Sequence, residues 1–252
     1  MQNHKFRQEV DGPLLDAIYP ENADFGTTKG IALSLDITHL SYFSVSAQYT
    51  FSIAEGTGSS TSSSQTAVFR NTDNAAPKVI APLNFDQRHT GVVNVDFYVP
   101  KGEMGWLEMF NANLLLSFSS GRPYTPMDQW NLLGDNGILS QSKGYINSAF
   151  APGSIRLDFK MEKSFAIGDI VLSPYIWIEN LLDADNITTV YRSTGSPYTT
   201  EYLNTPGGKA TSELKGEGYV QDYKSLENNP ANFGIPRLIK LGFKLNFSNI
   251  SL

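Results

Sequence analysis

The chain has 252 residues and no cysteine, and only 17% of its residues are charged. The lack of cysteine excludes disulfide bonds and thiolate metal sites. Charged residues make up about a quarter of an average soluble domain, so this chain is poor in charge for its length. The formal net charge is −6, and no basic stripe with interleaved aromatic residues is present. Both features argue against a nucleic-acid partner.

The sequence also lacks a long hydrophobic run. No segment approaches the roughly 18 apolar residues that a transmembrane helix requires. The first ten residues, MQNHKFRQEV, contain neither the apolar core nor the small-residue cleavage site of a signal peptide. Because an exported protein needs such a signal, we expect the chain to be the C-terminal piece of a longer protein or the product of a truncated gene.

The segment 239–247 alternates strictly between apolar and polar residues. Successive side chains of a strand point to opposite faces, so this pattern predicts a strand with one apolar and one polar face. A transmembrane β-strand needs about 9–11 residues that are apolar toward lipid and polar toward the barrel interior. We interpret 239–247 as the last strand of an outer-membrane barrel, whose lipid-facing residues include Leu241, Phe243, Leu245 and Phe247.

Six earlier segments show the same alternation, and together they predict an all-β, antiparallel transmembrane barrel segment of about seven strands. The predicted strands are 31–37, 43–53, 93–99, 106–118, 155–162 and 170–180. A Lys or Arg facing lipid at the bilayer midplane would cost about 2–4 kcal/mol, whereas it is cheap in a wet interior. We therefore expect the charged residues of these strands to face the barrel interior and to pair with one another or contact an interior plug; the other interpretation is that they line a substrate path. They are Asp36, Asp96, Arg156, Asp158, Lys160, Glu162, Glu179, Lys240 and Lys244.

The predicted connections alternate in length. Short turns at 39–41, 100–105 and 166–169 alternate with long segments at 54–87, 119–153 and 181–235. Long loops without secondary structure are uncommon in compact soluble domains, but outer-membrane barrels combine short periplasmic turns with long extracellular loops. Single-chain bacterial barrels have even strand numbers. Seven strands with two free edges therefore predict an incomplete barrel, which by itself forms an open, twisted sheet.

Four stretches resemble the barrel of TonB-dependent receptors of the outer membrane. NFDQRHT at 84–90 resembles the family's Asp-x-Arg-His segment, and IWIENLLDADN at 176–186 resembles its Asn-Leu-Phe-Asp pattern, with Leu182 in place of the aromatic residue. FGTTKGI at 25–31 is similar to the family's entry into a strand. IKLGFKLNF at 239–247 resembles the terminal signal read by the barrel-insertion machinery, although residues 248–252 extend beyond Phe247.

This resemblance implies that residues 1–252 are the C-terminal part of a barrel of about 22 strands around an N-terminal plug. Such receptors lie in the bacterial outer membrane and take up scarce nutrients with energy passed from the inner membrane. The implied partners are outer-membrane lipid, the plug, a TonB-type energy-coupling protein that contacts the N-terminal part, and the barrel-insertion machinery. Neither the plug nor the segment that contacts the coupling protein is in the chain, and no cofactor is implied.

The sequence contains no convincing catalytic or metal constellation, so we do not expect an enzyme. Its three histidines are far apart in the predicted topology, and no Ser/His/Asp arrangement stands out. Asp86, Arg88 and His89 could bind an anion, but the favoured role is to hold the base of a loop by local hydrogen bonds and ion pairing. Asp183, Asp185 and Asn186 have side-chain oxygen atoms at a spacing that could bind calcium. The segment lacks the glycine and the downstream glutamate of a calcium-binding loop, so we do not expect a metal site there.

Two other functions remain open at the level of sequence. A plug-free outer-membrane barrel, such as a porin or an adhesin, would have the same strands and loops. A soluble β protein or hydrolase would bury the apolar face of each strand against a second layer of the same polypeptide. Exposure of that face therefore discriminates between the membrane and the soluble alternatives.

Overall fold

The computed structural model of the chain describes residues 3–7, 16–20, 25–60, 79–128, 131–133 and 141–247. A single antiparallel sheet dominates these residues. The side chains of 3–7, 16–20 and His39 are not described, and His4 is therefore known only by its backbone.

Seven long strands form the sheet, and each one pairs with its neighbours in sequence. Their order across the sheet is the order in which they occur along the chain. The strands are β3 (Gly26–Leu40), β4 (Phe43–Gly56), β6 (His89–Val99), β7 (Phe110–Ser119), β10 (Ser154–Lys163), β12 (Ile170–Glu179) and β13 (Leu238–Phe247). All seven predicted strands are thus confirmed, and the fold is an open sheet whose edges are β3 and β13 within the described part.

Six shorter strands complete the β structure. β11 (Phe165–Ile167) continues β10 after a break at Ser164 and pairs with the start of β12. β5 (Ala81–Pro82) pairs with the end of β4. Two separate two-stranded sheets are formed by β1 (Asn3–Arg7) with β2 (Asp16–Pro20) and by β8 (Pro123–Tyr124) with β9 (Ala149–Phe150).

The register places the apolar positions of neighbouring strands opposite one another. Leu114 of β7, for example, pairs with Val95 of β6 on one side and with Phe159 of β10 on the other. A shift of one residue would move every side chain to the other face of the sheet. Because the apolar sets coincide across all seven strands, the sheet has one continuous apolar face and one continuous polar face.

The alternation of short and long connections is also confirmed. Short connections at 41–42, 100–109 and 168–169 lie at one end of the sheet, and long connections at 57–88, 120–153 and 180–237 lie at the other. Three predicted strand starts are wrong: β3 and β6 begin earlier than predicted, at Gly26 and His89, and β7 begins later, at Phe110 rather than near Trp106. Met104, Gly105 and Met109 have φ angles of 51°, 58° and 55°, which are incompatible with a strand. Trp106 therefore lies in a 3-10 turn and is 81% exposed.

The third long connection contains two helices that the sequence interpretation missed. α1 (Pro206–Lys215) has Thr205 as its N-cap, whose side chain accepts a hydrogen bond from the Gly208 N–H at 2.9 Å. α2 (Glu217–Glu227) follows after Gly216, whose φ angle of 81° suits a glycine. Thr205 as the N-cap, Pro206 as the first helical residue and Gly216 after the helix are readable start and stop signals.

Gly91 of β6 provides a test of the apolar register. It pairs with Tyr49 on one side and Phe118 on the other, and a Cβ at this position would lie 2.3 Å from Cζ of Phe118. The aromatic ring covers the glycine, a packing arrangement that fixes sheet register. We expect Gly91→Ala to lower the free energy of unfolding by about 1–3 kcal/mol through overpacking. Equilibrium unfolding measures this change, and Phe118→Leu added to Gly91→Ala should recover most of it. A Gly91→Ala variant of unchanged stability would contradict the packing.

Candidate functional site

The apolar face of the sheet is largely uncovered. Leu241 and Phe243 of the edge strand are 76% and 68% exposed, and Leu33 of the opposite edge is 60% exposed. The exposure extends to the central strands, because thirteen large apolar side chains of this face lie among the exposed residues. They are Ile31, Leu33, Leu35, Phe43, Leu114, Ile155, Met161, Ile170, Ile239, Leu241, Phe243, Leu245 and Phe247.

The described residues contain almost no hydrophobic core. The buried apolar side chains are Ala54, Leu83, Val99, Tyr219 and Tyr223, and the two tyrosines belong to α2. Neither helix therefore roofs over the sheet, in contrast to the second layer that a soluble sheet requires. Among the described helices, none combines the length and the apolarity needed to cross a bilayer.

The polar face carries a network of ion pairs across β10, β12 and β13. Arg156 Nε lies 2.8 Å from Asp158 Oδ1, and its guanidinium lies 3.9 Å from Glu179. Lys240 Nζ lies 2.6 Å from the other Glu179 oxygen, so this carboxylate contacts two cations. Lys244 forms a second cross-strand pair with Glu162 at 2.6 Å, two strands away.

Aromatic rings lie between these cations. Lys240 Nζ is 4.3 Å from the ring centroid of Trp177, whereas Lys160 and Lys244 lie 5.7 and 5.9 Å from that of Tyr175. Such contacts are worth about 0.5–1 kcal/mol at exposed sites and more when water is removed. The Tyr175 ring also lies over Gly242, its partner on the neighbouring strand. A Cβ at Gly242 would lie 2.6 Å from the phenolic oxygen of Tyr175. This half of the polar face is therefore filled with large side chains.

The other half of the polar face, on β3, β4, β6 and β7, has mostly small uncharged residues, two larger side chains (Tyr98 and Leu115) and two acids. Asp96 accepts hydrogen bonds from Asn94 and Asn113, each at 2.7 Å. Asp36 is exposed and pairs in register with Ser46. The structure thus places all nine predicted interior charges on the polar face. Six of them form ion pairs: Arg156, Asp158, Glu162, Glu179, Lys240 and Lys244. Lys160 lies over the Tyr175 ring, and Asp36 and Asp96 lie apart from the ion pairs.

The predicted loop-base residues meet where β4 leads into its long connection. Asp86 is fully buried; its Oδ1 accepts from the Ala54 N–H at 2.9 Å and its Oδ2 from Arg88 Nε at 2.8 Å. His89 begins β6, and its Nδ1 lies 2.8 Å from the Tyr49 hydroxyl. The carboxylate is saturated by a backbone donor and a guanidinium, an arrangement that holds the loop in place.

Asn180 holds the base of the third long connection. It is fully buried, with a φ angle of 52°. Its side chain donates to the carbonyls of Ala184 and Ile235 at 3.0 and 3.1 Å and accepts from the Ala184 N–H at 3.1 Å. Its own N–H donates to Asp158 Oδ1 at 2.8 Å. One asparagine therefore connects the end of β12 with β10 and with the segment that enters β13.

The same connection folds around a second buried polar cluster. Glu227 Oε1 accepts from the Thr199 hydroxyl and from both the N–H and the hydroxyl of Thr200, at 3.0, 2.7 and 2.7 Å. The Thr200 hydroxyl also lies 2.7 Å from that of Tyr223. Sequence reasoning missed this cluster. The spacing of Tyr219, Tyr223 and Glu227 on one helix face is the signal that could have indicated a buried stripe.

Burial raises the pKa of Tyr223 from 10.0 to about 12. The folded connection therefore favours the neutral hydroxyl, and the contribution of this group to the stability of the connection is present in full below pH 10. Between pH 10 and 12 the unfolded state loses this proton while the folded state keeps it, so stability falls as the pH rises. We expect amide hydrogen exchange in α2 to accelerate over this window after correction for intrinsic exchange. Tyr223→Phe should weaken the pH dependence, and an unchanged profile would contradict the assignment.

Two asparagines join the three long connections to one another. Asn147 donates to the Pro82 carbonyl and Asn84 Oδ1, at 2.7 and 2.8 Å, and so joins the second connection to the first. Asn131 lies 3.2 Å from the hydroxyls of both Tyr202 and Tyr219, which belong to the third connection. The long connections therefore form a connected layer at one end of the sheet.

The side-chain oxygens of Asp183, Asp185 and Asn186 accept hydrogen bonds from other residues of the chain. Asp183 accepts from the backbone and the guanidinium of Arg237, Asp185 accepts from the Tyr198 hydroxyl, and the Asn186 side chain accepts from the Ile155 N–H. Across the described residues, no group of three or more His, Cys, Asp or Glu side chains could hold a metal ion.

Comparison with models of known protein families, with curated proteins and with solved structures gives no match for this chain. The features that bear on function are therefore those of the chain itself: an exposed apolar face, a charged polar face and a layer of long connections at one end.

Proposed function

We propose that this chain forms the C-terminal part of the wall of a TonB-dependent receptor, an outer-membrane protein that actively takes up a scarce nutrient. In this proposal the seven long strands cross the bilayer, the long connections are extracellular and the short turns are periplasmic. The receptor's plug fills the interior, and a TonB-type coupling protein supplies the energy. The family assignment rests on the motif resemblance, and the membrane assignment rests on the apolar face.

The exposed, in-register apolar face is the observation that carries the proposal. Burying one Leu, Ile or Phe side chain is worth about 1.5–3 kcal/mol. The thirteen side chains are on average about half exposed, so in water they would forgo roughly 10–20 kcal/mol, as much as the usual net stability of a domain. Hydrocarbon chains remove this cost without a second protein layer. The polar face supports the same arrangement, because its ion pairs require a wet or protein-filled interior.

The direction of the edge strands indicates what must complete the wall. Because each of the seven strands is antiparallel to the next, β3 and β13 run in the same direction. They cannot pair with each other in an antiparallel manner, and an open edge is not tolerated in lipid. Closure with antiparallel pairing throughout therefore needs an odd number of further strands. An even total is the rule for single-chain bacterial barrels.

The lack of cysteine allows a direct test of the membrane assignment. Single cysteines at Leu114 and Phe243 on the apolar face, and at Asn113 on the polar face, would carry an environment-sensitive fluorophore in the full-length protein in outer-membrane vesicles. We expect quenchers attached to lipid tails to reduce emission at 114 and 243 but not at 113. The assembled protein should also show heat-modifiable mobility on a gel.

Equal quenching at 113 and 114 would overturn the membrane assignment, as would recovery of the protein as a soluble monomer. The receptor assignment needs a second measurement. Uptake of a nutrient that stops when the TonB system is inactivated supports a TonB-dependent receptor, whereas passive permeation that survives inactivation would replace it with a plug-free barrel.

A further inference from the structure

The polar face contains a hollow of about 230 Å³ at the end where the long connections begin. It spans β4, β6, β7 and the start of β10. Its lining is uncharged, and apart from Gly91, Val92 and Phe118 every lining side chain can form hydrogen bonds. The polar residues of this lining, here called the hydroxyl strip, are Gln48, Thr50, Thr90, Ser117, Ser119 and Ser154.

Many donors and acceptors of the hydroxyl strip form no hydrogen bond within the described part of the chain. Among the described residues, the side chains of Gln48, Thr50 and Thr90 have no hydrogen-bond partner. Ser119 and Ser154 share a hydroxyl contact of 3.0 Å, and Ser119 Oγ also accepts from Gln87 Nε2 at 3.4 Å. The Ser117 hydroxyl reaches only the Arg156 carbonyl, at 3.5 Å. Several donors and acceptors are therefore available to a solute in the hollow.

The charged half of the polar face differs from the hydroxyl strip in the size of its side chains and in how many of its polar groups are already paired. Its cations and carboxylates are largely paired with one another, and Tyr175 and Trp177 fill the space between the lysines. A surface of large, mutually paired side chains offers contact to a folded protein but little room for a solute. A surface of short side chains leaves open volume above it. The two halves are thus suited to different neighbours.

We infer that the hydroxyl strip lines the solute path of the proposed receptor and that the path takes an uncharged solute rich in hydroxyl or amide groups. This inference rests on the proposed function. An ion in the hollow would lose hydration without gaining a counter-charge, which is costly. A neutral solute exchanges hydrogen bonds to water for hydrogen bonds to Gln48, Thr50 and Thr90 at little net cost. The charged half is left to contact the polypeptide inside the barrel.

Single-cysteine variants of the full-length protein in outer-membrane vesicles test the inference. Thr50→Cys and Ser117→Cys report on the hydroxyl strip, Trp177→Cys on the charged half and Leu114→Cys on the apolar face. The probes are hydroxyethyl, sulfonatoethyl and trimethylammonioethyl methanethiosulfonate, which are neutral, anionic and cationic. Each rate is divided by the rate of the same reagent with a free thiol, and heat-modifiable mobility confirms that each variant is assembled.

We expect the neutral reagent to modify positions 50 and 117 about tenfold faster than position 177, because the interior polypeptide covers the charged half. The normalised rates at 50 and 117 should be similar for all three reagents. At 177, the neighbouring lysines should favour the anionic over the cationic reagent by several-fold. Reaction at 177 as fast as at 50 and 117, or a strong charge preference at those two positions, would overturn the inference.

The cysteine at 114 distinguishes failure of the solute path from failure of the proposed function. If it is protected from all three water-soluble reagents while positions 50 and 117 are also unreactive, the membrane wall stands and the solute path is wrong. If position 114 reacts as readily as 117, the apolar face is not in lipid and the proposed function itself fails.

Discussion

Leu114→Arg should lower the free energy of unfolding in lipid by about 2–4 kcal/mol, which in the proposed membrane wall is the cost of a cation on the lipid-facing side near the midplane. Leu114 lies in the middle of β7, between Val95 and Phe159 of the neighbouring strands, and all three are apolar. None of the register partners of Leu114 carries a carboxylate that could compensate an arginine there. Equilibrium unfolding in lipid vesicles measures the loss, and the amount of heat-modifiable protein in the outer membrane should fall in parallel.

Leu115→Arg is the matched control, because the same residue type is replaced one position further along the same strand. Leu115 lies on the polar face and pairs in register with Asn94 and Asp158. An arginine there joins an existing network of charges and should cost less than about 1 kcal/mol. Equal losses for the two variants, or a larger loss at 115, would contradict the assignment of the faces. The contrast within one dipeptide removes differences in strand propensity and in position along the strand.

Asn180→Ala should lower the free energy of local opening at the base of the third long connection by about 3 kcal/mol. The substitution removes three side-chain hydrogen bonds and leaves the Ala184 N–H and the Ile235 carbonyl without this partner, whereas the Ala184 carbonyl still accepts from the Asn186 N–H at 2.9 Å. Each such group costs about 1–3 kcal/mol when it stays buried, and relaxation recovers part of this. Alanine also tolerates the φ angle of 52° less well than asparagine. Amide hydrogen exchange of Ala184 and Arg237 measures the opening.

Asn180→Gly separates the backbone from the side chain. Glycine adopts the positive φ angle without strain but forms none of the amide hydrogen bonds. We expect it to be better tolerated than alanine by up to about 1 kcal/mol and still clearly destabilising. A glycine variant as stable as the original protein would mean that the hydrogen bonds of Asn180 contribute nothing.

Much of the sheet could be predicted from the sequence, because strand faces follow a local period of two residues. Alternating apolar positions located all seven strands, and their register confirms which residues share a face. The turn before β7 could not be placed as well. Trp106 fits the alternation, but the positive φ angles of Met104, Gly105 and Met109 are a backbone property that the apolar pattern does not report.

The candidate site was predictable only in part. The sequence identified the charges of the polar face, but not which of them pair, since Lys244 and Glu162 are joined across two strand spacings. The hydroxyl strip gave no signal, because serine and threonine on a polar face are unremarkable one at a time. Only their collection from four strands into one hollow makes them a candidate surface.

The sequence by itself determined the strands, their two faces and the alternation of short and long connections, because each depends on residues close together in the chain. Only the tertiary structure decided which distant polar atoms meet: Asn180 with the Ile235 carbonyl, Glu227 with Thr200, and Asn147 with Asn84. Such contacts depend on where the chain returns after tens of residues, and local periodicity carries no information about that return. The tertiary structure also decided that no described helix covers the apolar face, and this bare surface gives the chain its proposed place in a membrane.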